Sequence, residues 1–138
     1  MFIEDVSFLM VLIAAIVAMA VSAYWYSKSG FGKSWMKEVG LTDAKKKAMQ
    51  KSARKSYTIG FIAALVTAFV LAHVVRLAGA TTLAEGAIVG FWVWLGFFLT
   101  TGIGQVLWEG RSNKLTQITT GYQLVQLILM AAILAAWG

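Results

Sequence analysis

Residues 83–108 carry the sequence LAEGAIVGFWVWLGFFLTTGIGQVLW, in which Glu85 is the only charged residue. At about 1.5 Å per residue, a helix of this length crosses a hydrocarbon layer of about 30 Å. The stretch shows none of the alternation of polar and apolar residues that a membrane β-strand carries. It therefore predicts a membrane-spanning α-helix.

Three further apolar stretches occupy residues 6–26, 57–78 and 115–137, and only residues 27–56 form a sizeable hydrophilic segment. Hydrophobic residues make up 59% of the 138 residues and charged residues 13%. A soluble domain is about half apolar and about a quarter charged. The sequence therefore predicts an all-α fold, an integral membrane four-helix bundle in which residues 1–138 form a single transmembrane domain.

The basic residues predict the orientation of this bundle. Eleven of the twelve Lys and Arg residues lie in residues 27–56 or in the loop after the third apolar stretch, and Arg76 is the exception. The positive-inside rule then places these two loops in the cytoplasm and both termini outside. Because Glu4 and Asp5 precede the first apolar stretch, which is the reverse of a signal peptide, we expect that stretch to be a retained helix.

The hydrophilic segment contains a candidate membrane-surface helix. Phe31, Trp35 and Val39 recur at every fourth position, which is typical of an amphipathic helix on the inner surface of the membrane. Its basic residues either determine topology alone or also bind anionic lipid or a partner protein. Nucleic-acid binding is not supported, because no motif for it is present. The candidate anionic-lipid contacts are Lys33, Lys37, Lys45, Lys46, Lys47, Lys51, Arg54 and Lys55.

Small residues recur at every fourth position on all four predicted helices, as in the GxxxG pair Gly86 and Gly90. Such residues let helix backbones approach closely, which matters because lipid supplies no hydrophobic drive for helix association. Two interpretations stay open. The small faces pack against each other within one chain, or at least one of them forms a homo-oligomer interface.

Residues on the third and fourth predicted helices form two stripes that we expect to face each other. The stripe on the third helix consists of Gly86, Gly90, Phe97, Thr101, Gly104 and Gln105, and the stripe on the fourth consists of Thr116, Thr119, Thr120, Gln123 and Gln126. Their simplest role is interhelical hydrogen bonding, at about 0.6 kcal/mol per bond. The functional alternative is a polar pocket or narrow path that opens toward the cytoplasm. The candidate pocket residues are Thr101, Gln105, Thr119, Tyr122, Gln123 and Gln126.

A second polar group is predicted near the outer surface, where His73, Arg76 and Glu85 come together. Thr82 and Glu85 have the spacing of a capping box at the start of the third helix. In one interpretation Glu85 caps the helix and pairs with Arg76. In the other, His73 responds to protons or contacts a ligand, because histidine titrates near neutral pH.

The sequence assigns no catalytic residue, metal site or cofactor. The chain has no cysteine and one histidine, which excludes thiol chemistry and a multi-histidine metal site within one chain. All six carboxylates lie at helix ends or in the cytoplasmic segment, so the proton-coupled mechanism of small four-helix drug exporters is not supported. General acid–base hydrolysis lacks an acid–base pair within reach of a nucleophile.

An ordered set of short motifs resembles the DUF1761 family over nearly the whole chain. The motifs are WYS at 25–27, FGKSWMK at 31–37, GLT at 40–42, AH at 72–73, GATTLAEG at 79–86, WLGF at 94–97, EGR at 109–111 and GY at 121–122. The chain departs from the family pattern at Lys28, where proline is frequent, and at Glu4-Asp5-Val6, where an Asn-Trp start is common. The resemblance implies a small four-helix protein of the bacterial inner membrane without an established activity.

Our leading functional hypothesis is a non-enzymatic membrane protein that binds a lipid or small molecule, or passes a small solute, between the third and fourth helices. The alternative is a structural or regulatory subunit that contacts another protein, and a membrane enzyme is third. A pocket protein should have a polar cavity among the candidate residues, whereas a structural subunit should have them bonded to each other.

Overall fold

The computed structural model of the protein describes residues 6–27, 29–40 and 42–138, without the side chains of Asp43 and Lys46. Across these ranges the chain is all-α and contains no strand. A π-helical segment, Trp94–Leu99, connects the fifth α-helix to the sixth without a break. The seven α-helices are α1 Phe8–Trp25, α2 Gly32–Val39, α3 Asp43–Lys51, α4 Ala53–Leu77, α5 Leu83–Val93, α6 Thr100–Glu109 and α7 Asn113–Trp137.

In the described part of the chain, four helices are long and apolar enough to cross a membrane, namely Phe8–Trp25, Ala53–Leu77, Leu83–Glu109 and Asn113–Trp137. The prediction of an all-α fold with four such helices is confirmed, and it indicates a multi-pass membrane protein. The second span begins at Ala53, four residues before the predicted Tyr57. Ala, Arg and Lys are strong helix formers, so the helix extends through the basic residues that precede the apolar stretch.

Side-chain caps set the beginnings of α1, α3, α5 and α7. Thr82 accepts a hydrogen bond from the Glu85 N–H at 3.1 Å, as the capping pattern predicts. The Glu85 carboxylate reaches one residue beyond this cap and accepts from the Thr81 N–H at 3.2 Å. Thr42 caps α3 in the same way by accepting from the Lys45 N–H at 3.2 Å. Thr82 therefore begins α5 where the sequence predicts.

The core lies around α7, which packs against α1, α4 and α5. Apart from Met130, its most deeply buried side chains are alanines, whose small size permits close backbone approach. The residues with no exposed surface are Ala14, Ala15, Ala68, Met130 and Ala131. The small faces of α1, α4 and α7 are therefore used within this chain.

The GxxxG pair forms the closest helix contact. A Cβ atom at Gly90 would lie 2.6 Å from the carbonyl oxygen of Leu127 and 2.9 Å from the Cα of Ile128. A Cβ at Gly86 would collide with the carbonyl oxygen of Ala131. Only glycine fits at these two positions, because the atoms that a side chain would meet belong to the backbone of α7.

The π-helical segment shifts the register of the third span. A π turn contains about one residue more than an α turn, so the positions after it are displaced along the helix face. Gly102 is buried, and a Cβ there would lie 2.9 Å from the Thr120 methyl group. A Cβ at Gly104 would meet nothing within 4 Å. The uninterrupted helix of the prediction placed Gly104 on the polar stripe, and that assignment is wrong because Gly102 occupies the α7-facing position.

The short helix α2 is tied to the rest of the bundle at the end where α6 and α7 meet. The Trp35 ring packs edge-on against Tyr26, with ring centroids 5.3 Å apart. Ser112, which caps α7, donates a hydrogen bond to the Glu38 carboxylate at 2.6 Å. Part of the apolar face of this helix therefore contacts the protein itself.

Replacing Gly90 by alanine should destabilise the protein, because the new methyl group forces α5 away from the α7 backbone. We expect a loss of about 1–3 kcal/mol in the free energy of unfolding, typical of overpacking. Gly104→Ala is the matched control in the same span, where the methyl group enters open space. Equilibrium unfolding in detergent measures both, and equal stability of the two variants would contradict the packing described here.

Candidate functional site

The polar stripes of the third and fourth spans enclose a cavity of about 230 Å³. One wall comes from the π-helical segment and α6, and the other from α7 and the turn before it. We call this space the threonine cavity. Its lining residues are Phe97, Phe98, Thr101, Gly102, Gln105, Arg111, Thr116, Thr119, Thr120 and Gln123.

Four of the six candidate pocket residues line this cavity, namely Thr101, Gln105, Thr119 and Gln123. The other two, Tyr122 and Gln126, are half-buried and are not among its lining residues. The Tyr122 ring packs edge-on against Tyr26 instead, with centroids 5.7 Å apart. The structure therefore brings together two of the predicted residues from α6 and two from α7, and Tyr122 lies on a different side of α7.

The threonine hydroxyls bond mainly to their own helices. Thr101 donates to the Phe97 carbonyl at 2.5 Å, and Thr120 donates to the Thr116 carbonyl at 2.7 Å. Within the described part of the chain, the buried Thr116 hydroxyl has no hydrogen-bond partner. A hydroxyl has one donor and two acceptor positions, so these side chains keep unused capacity beside the cavity.

A second, larger cavity of about 450 Å³ lies next to the first. We call it the tyrosine cavity, and it shares Arg111 and Thr119 with the threonine cavity. These two shared side chains consequently lie between the cavities. The tyrosine cavity is lined by Ser22, Ala23, Tyr26, Trp35, Tyr57, Arg111 and Thr119.

Arg111 is the site residue that sequence reasoning missed. Gly110 adopts a left-handed conformation, φ 68°, that ends α6 and turns the chain inward. The Arg111 N–H then donates to the Gln105 carbonyl at 3.3 Å, and its Nη2 donates to the Thr119 hydroxyl at 3.3 Å. The charge count treated Arg111 only as a marker of orientation. The available signal was its position directly after a turn glycine and ahead of the polar face of α7.

Tyr26 adds a phenol to the shared wall. Burial raises its pKa above the ordinary value of 10.0, while the hydrogen bond with Thr119 and the charge of Arg111 act to lower it. Because the net pKa is raised, the phenol keeps its proton at neutral pH. Tyr26 is therefore available as a hydrogen-bond donor beside Arg111.

Two indoles hold α7 in position around the cavities. The Trp94 Nε1–H, at the beginning of the π-helical segment, donates to the Thr120 carbonyl at 2.8 Å. The Trp25 Nε1–H, at the end of α1, donates to the Ile118 carbonyl at 3.0 Å. These two bonds hold, from opposite neighbours, the segment of α7 that carries the cavity threonines.

Comparison with known proteins places the chain in a family. The model of the family described as "Protein of unknown function (DUF1761)" matches residues 9–135. The chain belongs to the DUF1761 family. No curated protein and no solved structure matches it.

In this DUF1761 protein, the second group of candidate residues lies at the end of α4 and the beginning of α5. The His73 Nδ1–H donates to the Phe69 carbonyl at 2.7 Å, since a carbonyl can only accept, and the two rings lie 4.7 Å apart.

Arg76 and Thr81 line a cavity of about 240 Å³, and Glu85 accepts a hydrogen bond from Thr81. Glu4 and Asp5, the other acidic residues that we expected at this surface, lie outside the described residues.

The candidate lipid contacts of this DUF1761 protein form an exposed basic surface. Lys33 and Lys37 lie on α2, and the remaining members lie on α3 and the first turns of α4. Lys46 belongs to this set, but its side chain lies outside the described ones. The other seven side chains are all exposed, so their charges are accessible to a membrane surface.

The described residues contain no group of three or more His, Asp or Glu side chains that could hold a metal ion. Two described carboxylates have hydroxyl partners, Glu38 with Ser112 and Glu85 with Thr81. Among the side chains that the structure describes, no acidic residue lines the threonine cavity or the tyrosine cavity. The chemistry that the two cavities offer is hydrogen bonding and one positive charge.

Proposed function

We propose that this DUF1761 protein binds a lipid or a small molecule, or lets a small solute pass, at the polar interface between its third and fourth spans. The threonine cavity carries the proposal, because hydroxyl and amide side chains and one arginine meet there, beside two phenylalanines, in a space of about 230 Å³ within a largely apolar bundle. Polar groups at membrane depth are costly and mark binding sites or solute paths. Drug-sized pockets begin at about 300 Å³, so the occupant is a small polar molecule or part of a lipid headgroup.

The hydrogen bonding within the cavity favours binding over a purely structural role. Thr101 and Thr120 bond to carbonyls of their own helices rather than to each other. The contacts that hold the third span to α7 are instead the glycine pair and the Trp94 indole. The alternative, a structural or regulatory subunit, does not require a cavity beside these hydroxyls, whereas a binding protein does.

The proposal includes an orientation and a location. Both termini lie outside, and α2, α3 and the α6–α7 turn lie in the cytoplasm, so that the two cavities open near the inner surface. The membrane is the inner membrane of a bacterium, and the exposed lysines of α2 and α3 bind its anionic lipids. The exposure of the seven described basic side chains supports this contact.

The proposed homo-oligomer needs a surface other than the small-residue faces. Gly86, Gly90 and the alanines of α1, α4 and α7 pack within the chain. On the third span, a Cβ at Gly96 or Gly104 would meet nothing within 4 Å, so these glycines leave room for a second copy of the chain. Self-association stays a prediction.

Cysteines placed in the threonine cavity should react with a water-soluble thiol reagent. The chain has no native cysteine, so Thr119→Cys and Gln123→Cys each introduce a single thiol. We expect 2-aminoethyl methanethiosulfonate to modify both in nanodiscs, because thiols must ionise in a polar environment to react. The reagent is positively charged, so electrostatic attraction to Arg111 cannot account for its reaction with these two cysteines. Mass spectrometry measures the rate of modification.

Two positions on α7 serve as controls for this labelling. Leu129→Cys tests the lipid-facing surface, where Leu129 is exposed, and Met130→Cys tests the closed core. We expect both to react at least tenfold more slowly, about the effect of 1.4 kcal/mol on the barrier. Protection of Gln123→Cys by added short-chain phosphatidylcholine would further indicate occupation by lipid. Equal rates at all four positions would contradict an accessible polar cavity and favour the structural alternative.

The proposed orientation predicts that Ser52→Cys and Gly138→Cys are labelled from opposite sides of sealed inverted and right-side-out vesicles. Ser52 lies between α3 and α4 in the basic segment, and Gly138 follows α7. An impermeant maleimide should modify Ser52→Cys only in inverted vesicles and Gly138→Cys only in right-side-out vesicles. Modification of both from the same side would overturn the orientation without affecting the cavity.

A further inference from the structure

Arg111 has an incompletely satisfied side chain in the wall between the two cavities. It is half-buried, and its Nη2 reaches Thr119 at the long distance of 3.3 Å. Its Nε–H is buried and has no hydrogen-bond partner among the residues that the structure describes. A buried donor without a partner costs about 1–3 kcal/mol, more when it is charged. The guanidinium therefore favours an occupant that accepts hydrogen bonds.

Arg111 is the only charged residue among the described side chains that line the two cavities. The described side chains that line the two cavities include no carboxylate. Glu38, on the neighbouring helix α2, accepts a hydrogen bond from Ser112. The positive charge of Arg111 thus faces a space that is otherwise neutral, which favours an anion.

Hydroxyl groups supply further donors at this position. The Thr116 side chain is 8% exposed, lines the threonine cavity, and its Oγ1 has no hydrogen-bond partner within the described chain. Tyr26 lies beside Arg111 and Thr119 in the tyrosine cavity. An anion with several oxygens could accept from the guanidinium fork and from these hydroxyls together.

We infer that Arg111 binds a phosphate group, either of a phospholipid headgroup or of free phosphate, in the space that the threonine and tyrosine cavities share. The planar guanidinium presents parallel N–H donors that match phosphate oxygens. Tyr57 and Trp35 line the same space, and aromatic residues of this kind mark the headgroup level of a membrane. This inference rests on the proposed function and gives the chemical class of its ligand.

The test uses the full chain purified in a phospholipid-free maltoside detergent, with two probes: inorganic phosphate and short-chain phosphatidylglycerol. Binding is followed by tryptophan fluorescence, to which Trp35 in the tyrosine cavity contributes, and by the thermal unfolding midpoint. We expect at least one probe to bind and to raise the midpoint. Arg111→Gln should weaken that binding at least about tenfold, since charge-assisted bonds are the strong ones.

Lys114→Gln is the matched control, because it removes the same charge from an exposed residue three positions away. It should change the dissociation constant less than about twofold, the modest effect of an exposed charge. Arg111→Lys should retain part of the affinity, and Thr116→Val should weaken binding with the fold intact. These two variants keep the inference testable where Arg111→Gln fails to fold.

Binding of inorganic phosphate alone supports free phosphate as the ligand, and binding of phosphatidylglycerol alone supports a lipid headgroup. Failure of both probes to bind overturns the inference, as does an equal loss of affinity in Arg111→Gln and Lys114→Gln. If Gln123→Cys is labelled but Arg111→Gln binds both probes like the wild type, the proposed function stands and the phosphate assignment fails. If the cavity cysteines do not react, the proposed function itself fails.

Discussion

The close approach of α5 to the α7 backbone is the contact on which the rest of the structure depends. Lipid gives helices no hydrophobic reason to associate, so stability within the bilayer comes from packing and from a few hydrogen bonds. Gly86 and Gly90 supply that packing because no side chain separates them from α7. Beyond them the third span contains larger and polar residues. There the π-helical segment and α6 line the threonine cavity together with α7.

The π-helical segment lies between these two regions and determines which residues face α7. The length and hydrophobic pattern of residues 83–108 predicted a spanning helix, and the GxxxG spacing predicted which face of that helix packs closely. They could not give the extra residue in the π turn, because Trp94–Leu99 contains no proline or polar residue that would mark an irregular helix. The predicted stripe is therefore correct before the π-helical segment, where Gly86 and Gly90 contact α7. After that segment the register has changed, and Gly104 does not contact α7. Thr101 and Gln105 still line the cavity because it is wide enough to include neighbouring positions.

Arg111 illustrates a second limit of reasoning from sequence. A count of charges along the chain assigns every basic residue near a span to orientation, and for the exposed lysines of α2 and α3 that assignment is consistent with their surroundings. The left-handed conformation of Gly110 directs Arg111 differently, into the wall between two cavities. At the end of α6, the backbone conformation of Gly110 decides whether the charge of Arg111 faces solvent or the bundle. A half-buried cation with an unsatisfied donor lowers stability, and proteins retain such groups chiefly where they bind something.

Water contact with the threonine cavity in a lipid bilayer tests the central claim most directly. A water molecule takes about 30 Å³ of liquid volume, so a polar space of about 230 Å³ holds several. Water-edited solid-state NMR of the wild-type protein measures how fast magnetisation passes from water to each side chain. The account predicts rapid transfer to Thr119 and Gln123 and slow transfer to Met130 and Ala131 of the same helix. Transfer to Thr119 and Gln123 as slow as to Met130 would contradict it.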